Sequence, residues 1–154
     1  MIRLSRLADY AVLLMSHMTR QPKEVHAAVV LADKTHLPMP TVSKILAKMA
    51  RAGLLESVRG RGGGYRLAFS PRDITVEQII SAVDGPIALT ICLESHGVSC
   101  KLEDVCPSQP NWRRINDALR HALSGVSLSE ISNPVPLNFA LPARTQVSTS
   151  DFPD

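Results

Sequence analysis

The chain has 154 residues, of which 45% are hydrophobic, 20% charged and 4% aromatic, and its formal net charge at pH 7 is +3. This length fits one domain with an appendage, and the composition excludes a collagen, a long coiled coil and a wholly disordered chain. No apolar run approaches the about 20 residues that a transmembrane helix needs, and Asp9 interrupts the apolar stretch near the start, so we expect a cytoplasmic protein without a membrane segment.

The charge is distributed unevenly along the chain. Residues 1–72 contain twelve Lys and Arg against four acidic residues, whereas residues 73–154 contain five against ten. A basic first half favours a polyanion as its partner, and an acidic second half then suggests a separate regulatory or assembly segment. The alternative is a scatter of solvated charges without a partner.

Two helices are predicted before the first break in the chain. Apolar residues recur with a helical period over 4–19, where Ser5 can cap the first turn. A short apolar helix over 26–33 follows. The run His36-Leu37-Pro38 then predicts a turn, because a proline disfavours helical backbone in the residue before it.

The third helix has one apolar and one basic face. Pro40 suits its first turn and Gly53 suits its end. Residues at i, i+3, i+4 and i+7 form the predicted core face: Val42, Ile45, Leu46 and Met49. The opposite face and its borders contain no acid, and their members are Thr41, Ser43, Lys44, Ala47, Lys48 and Arg51.

The pattern changes from helical to extended after the third helix. Residues 54–59 and 65–69 predict two strands around the glycine-rich run 60–64, which suits a mobile hairpin tip. A nucleotide-binding P-loop is excluded, because its Gly-Lys-Ser/Thr opens a helix, whereas Tyr65 begins a strand. Three short helices followed by a basic hairpin predict a winged helix-turn-helix domain over residues 1–72.

A winged helix-turn-helix places its third helix in the major groove, so the exposed start of that helix should contact base edges. The expected base-reading residues are Thr41, Ser43 and Lys44. Arg59 and Arg61 in the wing should reach the minor groove or its phosphates, and Tyr65 should anchor the base of the wing. Lys48, further along the helix, should contact phosphate or no DNA at all.

Residues 73–133 are predicted to hold a cysteine-containing loop and the helices of a dimer. A capping box begins a helix that Asp84-Gly85-Pro86 ends, and a loop over 92–110 follows. The helix over 111–124 has a narrow apolar stripe: Trp112, Ile115, Leu119, Ala122 and Leu123. Packing on a second copy would bury this stripe and give a homodimer, whereas the alternative is packing on its own DNA-binding domain. A brief helix completes this part, and residues 134–154 should be a disordered tail.

The chain has three cysteines, Cys92, Cys100 and Cys106, in the pattern C-x7-C-x5-C. Disulfides are disfavoured in a reducing compartment, and an odd number leaves one thiol unpaired. Thiolates are soft ligands that favour iron–sulfur clusters, zinc or copper(I). Three alternatives to a cluster stay open: buried apolar thiols, a redox-reactive thiol, and a zinc site with His96 as its fourth ligand.

These motifs resemble the IscR-like winged-helix regulators of bacteria, which include regulators of the Suf assembly operon, iron-responsive repressors and nitric-oxide sensors. The similarity covers about residues 1–133 and is carried by the wing 57–65 (SVRGRGGGY), by 79–84 (IISAVD) and by the cysteines that follow. The resemblance implies a homodimer that binds palindromic promoters and changes its affinity or site preference with the state of its cluster.

The chain also departs from the IscR pattern. The longer first cysteine gap leaves open whether the cluster is 2Fe–2S or 4Fe–4S. Gln109 occupies the place of a ligand histidine, and Ser43 the place of an acidic residue in the third helix. Asp9 resembles the acid through which a nitric-oxide-sensing relative supplies a ligand from the partner subunit, although the helix dipole alone also favours an acid there. The fourth ligand is therefore Asp9, His96, Gln109 or a small exogenous group.

The sequence thus predicts a non-enzymatic transcriptional regulator that binds double-stranded DNA at a palindromic operator. The resemblance implies a repressor of iron–sulfur assembly or iron-homeostasis genes, with an iron–sulfur cluster on three cysteines. One alternative is a winged-helix regulator whose cysteines bind zinc or sense redox state or nitric oxide. The other is a thiol enzyme with a basic surface.

Overall fold

In a computed structural model of the chain, the residues described are 3–93, Cys100 and 106–133. They form six α-helices, one turn of 3-10 helix and a two-stranded antiparallel sheet. The helices are α1 Arg6–Met18, α2 Ala28–Thr35, α3 Met39–Arg51, α4 Val76–Asp84, α5 Gln109–Ser124 and α6 Leu128–Ser132. The strands are β1 Leu55–Val58 and β2 Gly64–Leu67, and the 3-10 turn is Ile91–Leu93. The predicted fold class, mainly α with a small β-hairpin, is confirmed, whereas the predicted tail 134–154 lies outside the described residues.

Side-chain caps set where three of the helices begin. The hydroxyl of Ser5 accepts the main-chain N–H of Ala8 at 3.0 Å, which is the predicted cap of α1. Capping boxes precede α4 and α6: Thr75 pairs with Gln78, and Ser127 pairs with Glu130. Each cap satisfies main-chain donors that a first helical turn leaves without partners.

One hydrophobic core joins both halves of the chain. The four core-facing residues predicted on α3 are all fully buried, and α1 contributes five more along its length. Ile79, Val83 and Leu128, from α4 and α6, belong to the same cluster. Residues 1–72 and 73–133 therefore share one core, and their division by function stays a prediction.

The helix-turn-helix unit consists of α2, a tight turn and α3. His36 ends α2 in the left-handed conformation with φ 55°, and Pro38 then precedes α3. Helix α2 begins two residues later than the predicted 26–33, because His26 is held in extended backbone. Its main chain pairs with that of Tyr65 in both directions, at 2.8 and 2.9 Å. His26 thus pairs with β2 of the wing through a single antiparallel β-bridge.

The wing is slightly shorter than predicted. Strands β1 and β2 pair over four residues each, and the cross-strand neighbours Glu56 and Arg66 form an ion pair at 2.7 Å. Gly60 and Gly62 have positive φ, which turns the tip and ends the pairing at Val58 and Gly64.

Gly64→Ala is expected to destabilise the protein and displace the wing. A Cβ at this position would lie 2.7 Å from the carbonyl carbon of His26 and 3.0 Å from the Cα of Ala27, so main chain would have to move. Overpacking of this kind costs about 1–3 kcal/mol. Thermal unfolding measures it, with Gly125→Ala as the control, because the nearest atoms there lie at an ordinary 3.5 Å. Equal unfolding temperatures for the two variants would contradict the close approach of His26.

Helix α5 begins at Gln109, two residues before the predicted 111, with Pro110 in its first turn. Its apolar stripe faces two directions. Leu123 packs against the core of its own subunit, whereas Trp112 and Ile115 are 41% and 49% exposed. Part of α5 therefore lies back on the subunit, as the alternative interpretation expected, and the other part leaves apolar surface uncovered.

Candidate functional site

The start of α3 offers a polar surface without negative charge. Ser43 and Lys44 are exposed and Thr41 is half-buried, while Val42 between them points into the core. The first turn of α3 contains no acidic residue. Because a helix N-terminus carries partial positive charge, this surface favours phosphate oxygens and can present hydroxyl and ammonium donors to base edges.

Lys48 has a different environment from Lys44. It is half-buried, and its Nζ donates a hydrogen bond to the main-chain oxygen of Val83. Val83 lies in the last turn of α4, where carbonyl groups lack partners within the helix and the dipole favours a cation. The ammonium of Lys48 therefore ties α3 to α4, and the expectation that this residue contacts phosphate or no DNA at all stays a prediction.

The same end of α4 also contacts the start of α1. The carboxylate of Asp84 accepts a hydrogen bond from the Ser5 hydroxyl at 2.8 Å, and that hydroxyl is itself the cap of α1. The end of α4 is thus held to α1 by Asp84 and to α3 by Val83. A movement of α4 would act on both helices.

The wing carries two cations at its tip. Arg59 and Arg61 are exposed, and neither forms an ion pair with an acid among the described residues. Arg66, in contrast, is engaged by Glu56. Tyr65 is half-buried and packs on the core, as expected for a residue that anchors the base of the wing. The tip arginines are therefore accessible, and their contact with DNA stays a prediction.

The three cysteines lie along the part of the chain that runs from the 3-10 turn to the start of α5. Cys92 lies in the 3-10 turn, and Cys106 precedes the first residue of α5 by three positions. All three thiols are free and half-buried, and the Cys92 sulfur lies 3.2 Å from the Thr90 hydroxyl. Three thiols are a donor set that suits iron or zinc. However, no group of three or more potential ligands is assembled among the described residues, so the common site of the cysteines stays a prediction.

The candidates for a fourth ligand are dispersed. Asp9 is exposed on the first turn of α1, and Gln109 is half-buried as the first residue of α5. His96 lies outside the described residues. Among the described residues, Asp9 is not part of any group of three or more His, Cys, Asp or Glu side chains that could hold a metal ion, so the identity of the fourth ligand stays a prediction.

Asn116 is a residue that the sequence analysis missed. It is 6% exposed, and it is the one buried polar residue among those described. Its side-chain amide bonds to the main chain of Ile87 and Leu89, in the segment that leads to Cys92. The available signal was its spacing: it lies three and seven residues before Leu119 and Leu123, on their side of the helix.

Comparison with known proteins gives matches over most of the chain. The Rrf2 family profile, described as an iron-dependent transcriptional regulator, matches residues 4–134. The HTH-type transcriptional regulator IscR of Aliivibrio salmonicida is 33% identical over 133 residues, which cover 84% of this chain and 77% of that protein. The similarity to IscR-like regulators indicated by the wing and the cysteines is therefore confirmed.

Two solved structures show the same fold. CymR (YrzC), the global cysteine regulator of B. subtilis, is 26% identical with a TM-score of 0.65, over 86% of this chain and 97% of that chain. T. potens IscR is 24% identical with a TM-score of 0.61, over 84% of this chain and 85% of that chain. The predicted winged helix-turn-helix architecture is thus confirmed. None of the helices in the described ranges combines the length and apolar composition needed to cross a bilayer.

Proposed function

The chain belongs to the Rrf2 family of transcriptional regulators, and from this premise we propose that it is a DNA-binding repressor controlled by an iron–sulfur cluster. The observation that carries the proposal is the exposed, acid-free start of α3 together with the two arginines at the wing tip. Its targets would be genes of iron–sulfur assembly or iron homeostasis. Action on chromosomal DNA would place the protein in the cytoplasm, and its function would not be enzymatic.

DNA binding would follow the geometry of a winged helix. Thr41, Ser43 and Lys44 would face base edges in the major groove, and Arg59 and Arg61 would reach the adjacent minor groove or its phosphates. Lys48 would act from within the protein by holding α3 against α4, since its ammonium already bonds Val83.

Lys44→Ala and Arg59→Ala are expected to weaken operator binding, by about 1–3 kcal/mol where the lost contact is bidentate to a base. If the contact is to phosphate alone, binding to all DNA should weaken and the dependence on salt should flatten. Fluorescence anisotropy with operator and scrambled duplexes at several salt concentrations separates the two cases. Lys48→Met is the matched lysine control and should keep the salt dependence of the parent. Unchanged affinity for both Lys44→Ala and Arg59→Ala would rule out the proposed docking.

A homodimer would match a palindromic operator. The uncovered apolar side chains of α5, Trp112 and Ile115, offer a surface that a second copy can bury. Two-fold pairing through α5 would set the recognition helices about one DNA turn apart, roughly 34 Å. Half-sites at this spacing are the expected form of the operator.

The cluster would be held by thiolates of Cys92, Cys100 and Cys106, with the fourth position taken by Asp9 of a neighbouring subunit, His96, Gln109 or an exogenous group. Free, half-buried thiols support this donor set. A bound 2Fe–2S or 4Fe–4S cluster would supply a redox- and oxygen-sensitive link between the three cysteines. An oxygen ligand is a weaker match to iron than thiolate, which would make the fourth position labile and suited to sensing.

A second candidate function keeps the DNA-binding part and replaces the cluster. The three thiols are free, and in this second candidate they would bind zinc or sense redox state or nitric oxide. The structural neighbour CymR is the global cysteine regulator of B. subtilis, so a regulator with this fold is connected with cysteine elsewhere.

Anaerobic purification tests the two functions against each other. The proposal predicts a brown protein with iron, sulfide and visible absorption from thiolate-to-iron charge transfer. A colourless protein with stoichiometric zinc would favour the second candidate. Footprinting on the promoter of its own gene should show a protected palindrome, and turnover of a thiol substrate without DNA affinity would reject both regulators.

A further inference from the structure

Asn116 of α5 is engaged by the main chain of a distant segment. Its Oδ1 accepts the N–H of Leu89 at 3.0 Å, and its Nδ2 donates to the carbonyl oxygen of Ile87 at 3.1 Å. The two bonds fix the orientation of the amide, because one end must accept and the other must donate. The side chain therefore bonds to the 87–89 backbone much as a neighbouring strand would.

This pair of bonds holds the approach to the first cysteine. Helix α4 ends at Asp84 with Gly85 as its C-cap, and Cys92 in the 3-10 turn follows Leu89 by only three residues. A hydrogen bond from Leu93 N–H to the Thr90 oxygen, at 3.0 Å, closes that turn. Residues 87–89 have no strand partner in the described structure. The two hydrogen bonds of the Asn116 amide therefore hold this backbone to α5.

Helix α5 also determines the position of the third cysteine. The carbonyl oxygen of Cys106 accepts the N–H of Gln109 at 3.4 Å, and α5 continues directly from there. Cys106 is thus attached to α5 through the chain, and Cys92 is attached to it through Asn116. One helix therefore controls the separation of two of the three thiols.

We propose that Asn116 is a positioning residue for the cysteine site, which sets Cys92 relative to Cys106 by clamping the 87–89 backbone onto α5. The inference rests on the proposed function in so far as the cysteines act together. It also connects the cysteine site with the proposed dimer. Ile115 is exposed and the adjacent Asn116 is buried, so one turn of α5 carries both the proposed dimer surface and the residue that anchors the segment of the first cysteine.

Site-specific alkylation of the reduced, metal-free protein tests the proposal without requiring a cluster. Asn116→Leu keeps the branched shape of the side chain, with a somewhat larger volume, and removes both bonds, so the 87–89 segment should open more often. Cys92 should then react about 5- to 30-fold faster, while Cys106 keeps its rate and the Leu89 amide exchanges its hydrogen faster. Asn111→Leu, on an exposed part of the same helix, is the control and should leave all rates unchanged.

An equal rate for Cys92 in Asn116→Leu and in the parent would overturn the proposal, as would a uniform rise for all three cysteines. If Asn116→Leu does not fold, Asn116→Ser applies the same test with a smaller residue that cannot span both bonds. Visible absorption of the anaerobic parent is recorded in parallel. A colourless parent would count against the cluster alone, whereas the alkylation rates decide on Asn116 in either case.

Discussion

Cys100→Ala protein, purified without oxygen, is expected to be colourless. Removing one of three thiolates leaves two protein sulfurs for a cluster that the remaining candidates, with oxygen or nitrogen donors, cannot hold as well. Iron and sulfide content should fall with the visible absorption. Cys92→Ala and Cys106→Ala should give the same loss, because the three cysteines are proposed to act as one ligand set.

Two comparisons make this loss interpretable. Ser108→Ala changes an exposed residue beside the cysteine segment whose side chain makes no capping bond, and it should keep the full absorption. Asp9→Ala should keep the chromophore but alter its spectrum and its lifetime in air. An Asp9→Ala protein identical to the parent would remove Asp9 from the site, and a brown Cys100→Ala protein would remove Cys100.

Ile115→Glu is expected to convert the proposed dimer into monomers. Ile115 is 49% exposed in the single chain, so a carboxylate there costs the monomer little but would have to be buried without a partner in the dimer. Sedimentation velocity measures the change, and cooperative binding to a palindromic operator should be lost with it. Arg113→Gln, two residues earlier and on the other side of α5, lowers the net charge by the same single unit and is the control.

Leu119, which also belongs to the apolar stripe, is a less decisive position for this test. It is half-buried in the single chain, so that a charge there would disturb the subunit as well as an interface. If Ile115→Glu remains a dimer at micromolar concentration, α5 is not the two-fold contact. A different surface would then have to set the spacing of the recognition helices.

The sequence was most informative where structure depends on near neighbours. Ser5, Thr75 and Ser127 cap the helices that follow them, since each hydroxyl needs only a main-chain donor three residues away. Helical spacing in the same way identified Val42 and Met49 as core residues, and both are fully buried.

Contacts between distant segments could not be predicted in this way. Lys48 bonds to a carbonyl 35 residues later, and Asn116 to an amide 27 residues earlier. From residue type alone, a lysine can donate hydrogen bonds and an asparagine can both donate and accept them. Their main-chain partners come within reach only when α4 and α5 have packed. His26 is a similar case, since the pairing of its extended backbone with Tyr65 makes the second helix begin two residues later than predicted.

The apolar stripe of α5 shows a further limit. Its five members are equivalent in a helical pattern, yet Leu123 packs on its own core while Trp112 and Ile115 remain exposed. A helix that packs both on its own subunit and on a partner has a broad apolar face. Hydrophobicity alone does not indicate which of these residues face the core and which face the partner. The division depends on where α4 meets α5, which the ion pair of Glu77 and Arg120 at 3.3 Å helps to define.

Control of operator affinity by cluster state is tested most directly by one anaerobic titration. An operator identified by footprinting is titrated with the cluster-loaded protein, with the same preparation after a chelator has removed the iron, and with Cys100→Ala. Coupling between two sites in a protein is typically worth 5- to 150-fold in affinity, so loaded and stripped protein should differ by about that factor. Cys100→Ala should bind like the stripped protein whether or not it has been treated. Equal affinity of the loaded and stripped forms, at matched salt, would contradict cluster control of DNA binding.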